Sequence, residues 1–164
     1  MTAHSGKSAS PDQTDIDALA LLLADHKEIR KLFKEFARLS AARSQSAKVD
    51  LALHLCETWT LHAALEQEIL YPAARAALTD EHELINQLDV HYAGMRELIS
   101  RIQLMDGSEH LYDATLAVLQ EYIEQHIAME EKTLFPKARK AKMHLHRLAR
   151  TIAERKDEQT VELA

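Results

Sequence analysis

At 164 residues the chain is sized for one domain that buries about two-thirds of the surface its unfolded form exposes. Gly and Pro number three each while Ala, Leu, Glu, Lys and Arg abound, and no run of alternating β-branched residues occurs, which excludes a sheet-based fold and leaves an all-α one. A net charge of −6, from 20 basic and 26 acidic residues with no dense Lys/Arg patch and 5% aromatics, argues against a nucleic-acid partner.

The longest clean apolar run, Ala18 to Ala24, is far too short to span a membrane. Asp12, Asp15 and Asp17 stand where a signal peptide would carry no acid, so the expected setting is the cytoplasm. The lone Cys56 cannot form an internal disulfide, suits a reducing compartment, and reads as a small buried hydrophobe on a helix.

In chain order, residues 1–14 are Ser-rich and polar and read as a disordered lead-in. Residues 15–142 hold the periodic segments, and residues 143–164 form a C-terminal helix or tail. Asp15 is placed to cap a first helix reaching about Ser40, with Leu19, Leu22, Leu23, Ile29, Phe33 and Phe36 on one stripe and His26 inside it. After the polar stretch Ala41 to Ser46, a second helix is expected from about Ala47 to Ala77. Its inward face carries Leu51, Leu55, Trp59, His62, Glu66 and Ile69, and Pro72 kinks or ends it. Thr79 and Asp80, with Glu83 nearby, are placed to cap a third helix running to about Met105. That helix repeats Leu84, Leu88, His91, Met95, Leu98 and Ile102 at spacings of four and three, a bundle seam. The turn Asp106-Gly107-Ser108 precedes a fourth helix over about Glu109 to Lys142, with Tyr112, Leu116, Leu119, Tyr122, His126, Glu130 and Thr133 along or beside one face. Leu145, Leu148 and Ile152 give the final helix a face that could dock on the bundle or on a second subunit.

Four long helices with short connections imply an up-down-up-down four-helix bundle. Antiparallel packing then brings His26, His62, His91 and His126, each near the middle of its helix, to one depth.

Two stretches carry the chemistry. His62-Ala63-Ala64-Leu65-Glu66 and His126-Ile127-Ala128-Met129-Glu130 each stack an imidazole and a carboxylate on one helix face. About one such pair is expected by chance among ten His, so the pairs alone are weak evidence. Each, however, runs on to a Leu-aromatic-Pro exit, Leu70-Tyr71-Pro72 and Leu134-Phe135-Pro136, with the Pro ten residues after the His. His26 precedes His62 by 36 residues and His91 precedes His126 by 35, so the chain reads as two matching hairpins.

Taken singly, each of these groups is more often a core or solvated residue than a ligand. Two carboxylates and four imidazoles at one depth on inward faces are costly to bury without a compensating cation. Six N/O donors exceed a four-coordinate structural zinc site and suit two ions bridged by the carboxylates. Iron is the first choice, and manganese and zinc accept the same donor types.

A ferritin-like plan would need Glu-x-x-His pairs, and no Glu here has a His three residues on. The His-x-x-x-Glu order, with Asp25-His26, His62 to Pro72, His91 and His126 to Pro136, resembles the hemerythrin family, specifically the hemerythrin-like HHE cation-binding domain. The resemblance covers about Asp15 to Ala141. It implies a four-helix bundle around an oxo- or hydroxo-bridged pair of non-haem irons that meets O2, NO or H2O2. It assigns His26, His62, Glu66, His91, His126 and Glu130 as metal ligands. Oxygen-carrying members have a fifth histidine one turn from the third-helix ligand, where this chain has Gln87 and Met95, and Tyr122 or Tyr92 is placed to approach the metals instead.

The functional expectation is a di-iron protein binding dioxygen or a related small oxidant. Two alternatives stand beside it: a catalase-like or peroxidase-like enzyme, and an iron or redox sensor acting through a separate protein partner or a homo-oligomer.

Overall fold

The computed structural model describes residues 16–42, 44–162 and 164. The lead-in expected over residues 1–14 and the cap expected from Asp15 lie outside them. The first helix, α1 (Ala18–Ala41), is instead capped by Asp17, whose Oδ1 accepts from the Ala20 N–H at 2.9 Å. A short turn leads to α2 (Gln45–Leu65), which passes through a π-helical turn, Glu66–Leu70, into α3 (Tyr71–Ala77). A single 3-10 turn, Thr79–Glu81, replaces the side-chain cap expected from Thr79 and Asp80, and α4 (His82–Leu104) begins without one. The second hairpin repeats the plan with α5 (Tyr112–Met129), a π-helical turn Glu130–Leu134 and α6 (Phe135–Lys140). The chain closes with α7 (Leu145–Glu162).

The described residues are helices and turns, arranged as a four-helix bundle with α7 as a fifth helix docked against α1 and the first π turn. Its docking face holds the buried Ala149, Ile152 and Gln159. The turn into α5 passes so close to α2 that a Cβ on Gly107 would overlap the side chain of Val49, so only glycine fits there.

The two π turns follow from the two prolines. Pro72 lacks an N–H and its ring crowds the carbonyl four residues back, so an ordinary α-helical register cannot continue through it. Widening by one residue relieves this, and the Tyr71 N–H bonds to the Glu66 carbonyl five residues earlier. Pro136 does the same for the Phe135 N–H and the Glu130 carbonyl. Neither helix ends at its proline. Both extra residues are inserted immediately after the glutamates, which re-aims the aromatic residue five positions on.

On α4 the inward seam is Ile85, Leu88, Tyr92, Met95, Ile99 and Ile102. It shares Leu88, Met95 and Ile102 with the expected seam but takes the following residue at each alternate position. Tyr92 therefore faces the core and His91 is half-buried at its edge. On α5 the seam runs Leu116, Leu119, Ile123, His126, which leaves Tyr122, expected along the inward face, 45% exposed. No helix among the described residues is long and apolar enough to cross a membrane.

Candidate metal centre

Three of the four helical rods bring His26 (α1), His62 and Glu66 (α2 and its π turn) and His126 and Glu130 (α5 and its π turn) into the interior, all essentially without solvent exposure. The two glutamates lie between two sets of partners. Toward one end, Glu66 Oε1 stands 3.0 Å from His62 Nε2 and 3.7 Å from His26 Nε2, and Glu130 Oε2 stands 3.3 Å from His26 Nε2. Toward the other, Glu66 Oε2 and Glu130 Oε1 lie 3.7 and 3.4 Å from His126 Nε2. Each carboxylate thus gives one oxygen to each end.

The second end is finished by two phenols. Tyr71 donates to Glu130 Oε1 at 2.6 Å and its hydroxyl lies 3.1 Å from His126 Nε2. Tyr92 donates to Glu66 Oε2. Sequence reasoning placed Tyr92 near the metals and missed Tyr71. The signal was present in the Leu-aromatic-Pro exit: the extra residue of the π turn gives position +5 the alignment that +4 has in an α-helix, so Tyr71 returns to the face of Glu66. Its counterpart Phe135 cannot hydrogen bond and stacks on the His26 ring, with centroids 5.7 Å apart and planes at 8°.

The outer edges of the histidines are also held. His26 Nδ1 lies 2.9 Å from Glu131 Oε1, which also accepts from Arg30 at 3.0 Å. His62 Nδ1 lies 3.2 Å from Asp25 Oδ2, and Asp25 Oδ1 accepts from Lys156 at 2.5 Å. A carboxylate at Nδ1 keeps the proton there and turns the Nε2 lone pair inward, the arrangement that metal-binding histidines need. Burial would raise the Asp25 pKa, but the His62 and Lys156 hydrogen bonds outweigh it and hold the carboxyl below its usual value.

His26 Nε2, His62 Nε2, Glu66 Oε1 and Glu130 Oε2 are buried without a hydrogen-bond partner. These four residues each offer a donor atom, and the donor atoms all lie within 4.8 Å of one another. Around an octahedral ion with bonds of about 2.1 Å, adjacent donors sit about 3.0 Å and opposite ones about 4.2 Å apart. The quartet therefore has close to the dimensions of a coordination shell, and its orphaned atoms are the ones a cation would engage.

In the metal-free chain protons take the cation's part. Burial lowers the pKa of His26, yet the facing Glu130 and Glu66 carboxylates push it up to about 10. Burial likewise opposes charge on His126, and Glu130 and Glu66 raise it to about 9. For His62 burial is outweighed by Glu66 and Asp25, and the shift is again upward. Burial would raise Glu66, but the surrounding histidines hold it well below the ordinary carboxylate value. Burial, reinforced by the nearby glutamates, pushes the Tyr71 and Tyr92 phenols well above their usual range.

Of the remaining expected ligands, His91 stands beside His126 with its Nδ1 buried and without a hydrogen-bond partner, and Tyr122 is exposed. His91 is half-buried with its ring centroid 5.9 Å from that of His126, and burial together with His126 lowers its pKa. It shares with Tyr122, Val90, Gly94 and Gln125 a surface concavity of about 360 Å³. Tyr122 and His91 therefore meet at the surface side of His126, while Tyr92 enters the cluster. Trp59 packs against His62, His126 and Tyr92 at centroid distances of 5.3, 5.6 and 5.7 Å and shields the cluster on one side. His54, His82, His110, His144 and His146 are exposed.

Comparison with known proteins agrees with this architecture. The family model of the Hemerythrin HHE cation binding domain matches residues 17–138. The crystal structure of a hemerythrin HHE cation binding domain-containing protein from Mycobacterium kansasii is similar in fold, with a TM-score of 0.74 and 20% identity over 87% of this chain and 86% of that one. A DNA nickase from Nostoc sp. is 25% identical over 126 residues, which are 76% of this chain and 34% of that protein. The chain thus spans about a third of the length of that curated relative.

Proposed function

The chain belongs to the hemerythrin HHE cation-binding domain family, and from that premise we propose that its buried cluster holds two metal ions, iron by donor type, and reacts with a small oxidant: dioxygen, nitric oxide or peroxide. One observation carries the two-ion reading. Glu66 and Glu130 each direct one oxygen toward His26 and His62 and the other toward His126, the disposition of carboxylates that bridge a pair of ions.

The residues fit the group. His26 and His62 would hold one ion with a bridging oxygen from each glutamate. His126 would hold the other with the remaining two oxygens, and the Tyr71 and Tyr92 hydroxyls stand beside those oxygens as hydrogen-bond donors. Imidazole nitrogens and carboxylate oxygens are a hard-to-borderline set that favours iron over a thiolate-loving ion. Bound iron would supply electrons to the oxidant and draw charge from its oxygen atoms.

The protein's own part is to position and to exclude. The Nε2 atoms of His62 and His26 are aimed by Asp25 and Glu131, and Trp59 and Phe135 cover the ligand rings, so bulk water is kept from the centre. Tyr71 and Tyr92 hold protons at their hydroxyl oxygens, beside both glutamates.

Those two phenols favour turnover of peroxide over reversible carriage of dioxygen. Disproportionation of two peroxides to two waters and one dioxygen requires protons to pass between oxygen atoms. Buried phenols bonded to carboxylates are donors and acceptors already in place for that transfer. Nicking activity is not carried over from the Nostoc protein, because the chain covers a third of it and carries a net charge of −6.

Anaerobic reconstitution with ferrous iron, metal counting, and spectra before and after oxygen and, separately, peroxide test the proposal. Two ions per chain are expected, with oxygen evolved on adding peroxide. One ion or none would defeat the two-ion reading. A stable oxygenated spectrum without peroxide turnover would leave a binding protein.

A further inference from the structure

The C-terminal helix α7 begins after residue 138, where the family match ends, yet it reaches the site. Its Lys156 donates to Asp25 Oδ1 at 2.5 Å, and Asp25 Oδ2 lies 3.2 Å from His62 Nδ1. Next to it Arg155 donates at 3.2 Å to Glu68, inside the π turn that begins at Glu66. The buried Ile152 and Gln159 anchor the helix on either side of this pair. Between α7, α1 and α2 lies a cavity of about 200 Å³ whose wall includes Asp25, His62, Lys156, Gln159 and Thr160, so α7 forms the outer boundary of the space behind His62.

The two hairpins differ at this point. Where α1 has Asp25 before His26, α4 has Val90 before His91, 69% exposed and unable to accept a hydrogen bond from its side chain. The Nδ1 of His126 is buried without a partner, whereas that of His62 is held by a carboxylate that is itself held by a lysine. The outer brace is therefore built at the His26/His62 end alone among the four principal rods, and its last member comes from a helix outside the matched domain.

We propose that α7 is a strap that retains the ion at the His26/His62 end, with Lys156 as the positioning residue that sets His62 through Asp25. This rests on the two-ion reading above. Lys156 fixes one oxygen of Asp25, which leaves the other directed at the His62 N–H and the His62 Nε2 lone pair directed at the ion position. With Lys156 removed, Asp25 is free to turn toward solvent, the imidazole gains rotational freedom, and the ion it holds dissociates faster. Removal of such outer partners typically weakens metal binding about 10–100-fold.

The test is release of ferrous iron from the anaerobically loaded full chain to an excess of a chromogenic chelator, comparing wild type with Lys156→Met, Lys156→Arg, Asp25→Asn and Arg155→Ala. The wild type should release its two ions in two phases. Lys156→Met should speed one phase about tenfold and leave the other within twofold, Asp25→Asn should speed the same phase by at least as much, and Lys156→Arg should restore the wild-type rate. Arg155→Ala, which removes the neighbouring pair to Glu68 while the buried Ile152 and Gln159 keep α7 docked, should change neither phase more than twofold. Unchanged release in Lys156→Met and Asp25→Asn, with two ions bound, overturns the proposal while sparing the two-ion reading. Equal acceleration of both phases by Lys156→Met and Arg155→Ala overturns it as well, since helix docking alone would account for the result. A wild-type chain that takes up fewer than two ions defeats the two-ion reading and the strap with it.

Discussion

Glu66→Gln asks whether charge holds the cluster together. The substitution keeps the length and volume of the side chain and removes one negative charge from a fully buried position. That carboxylate stands 3.0 Å from His62 Nε2 and 3.7 Å from both His26 and His126 Nε2, and accepts from Tyr92. Removing one partner of a buried ion pair costs about 3–5 kcal/mol when the other charge is left behind. Here the histidines can shed protons once Glu130 alone faces them, which places the cost near about 3 kcal/mol. At 2–4 °C per kcal/mol for a chain of this size, the metal-free variant should melt roughly 6–12 °C below wild type near neutral pH. The gap should narrow as pH rises from 8 to 10, where His126 and then His26 lose their protons and the missing charge matters less. Thermal and urea unfolding of metal-free wild type and variant at pH 6.5, 8 and 10 measures both features. Melting within 2 °C of wild type at every pH, with two ions still bound on reconstitution, would refute the charge argument and the bridging role together.

The metal-free wild type should itself lose stability as pH rises. His26 and His126 carry folded-state values near 10 and 9 against about 6.5 unfolded, so their contribution is full below about pH 6.5 and gone above about 10, at up to about 1.4 kcal/mol per pH unit for each group. Glu66, shifted the other way, withdraws its contribution as pH falls below the ordinary carboxylate value, so urea midpoints should peak in mildly acidic solution, and a midpoint that rises from pH 7 to 10 would contradict the protonated cluster. Tyr71→Phe removes the donor to Glu130 at 2.6 Å and should cost about 1–3 kcal/mol in urea unfolding and slow oxygen evolution from peroxide by the iron-loaded chain with the ion count unchanged; an unaltered rate would take Tyr71 out of the proton path. His91→Ala should leave the ion count at two and stability within about 1 kcal/mol, because His91 is half-buried and outside the cluster; loss of an ion would restore it as a ligand.

Much of this was legible in the chain because two independent constraints coincide. The 3.6-residue period places His62 and Glu66 on one buried face whatever the tertiary details, and the same holds for His126 and Glu130. The repeated proline marks both exits. What the period could not decide was the phase of α4. Leu84-Ile85, His91-Tyr92 and Leu98-Ile99 are adjacent pairs, and either member of each extends a seam through Leu88, Met95 and Ile102. Local propensity is blind to that choice. Tertiary packing resolves it by turning Ile85, Tyr92 and Ile99 inward, where the Tyr92 hydroxyl reaches Glu66. Tyr122 illustrates a different failure, since four residues before His126 is as near on the helix as three. The matching hairpin held the answer: Trp59 stands three before His62 and is buried, so the equivalent position is Ile123. Repeats therefore carry phase information that periodicity alone lacks, and their departures carry more. Tyr71 opposite Phe135, Asp25 opposite Val90, and Tyr92 beside a displaced His91 each break the two-fold in the same sense, giving one end of the cluster braced imidazoles and the other phenols. A symmetric pocket would treat both ions alike. On the proposed two-ion reading, this one would hold one ion firmly and offer the other end, with its exchangeable phenolic protons, to a small reactant.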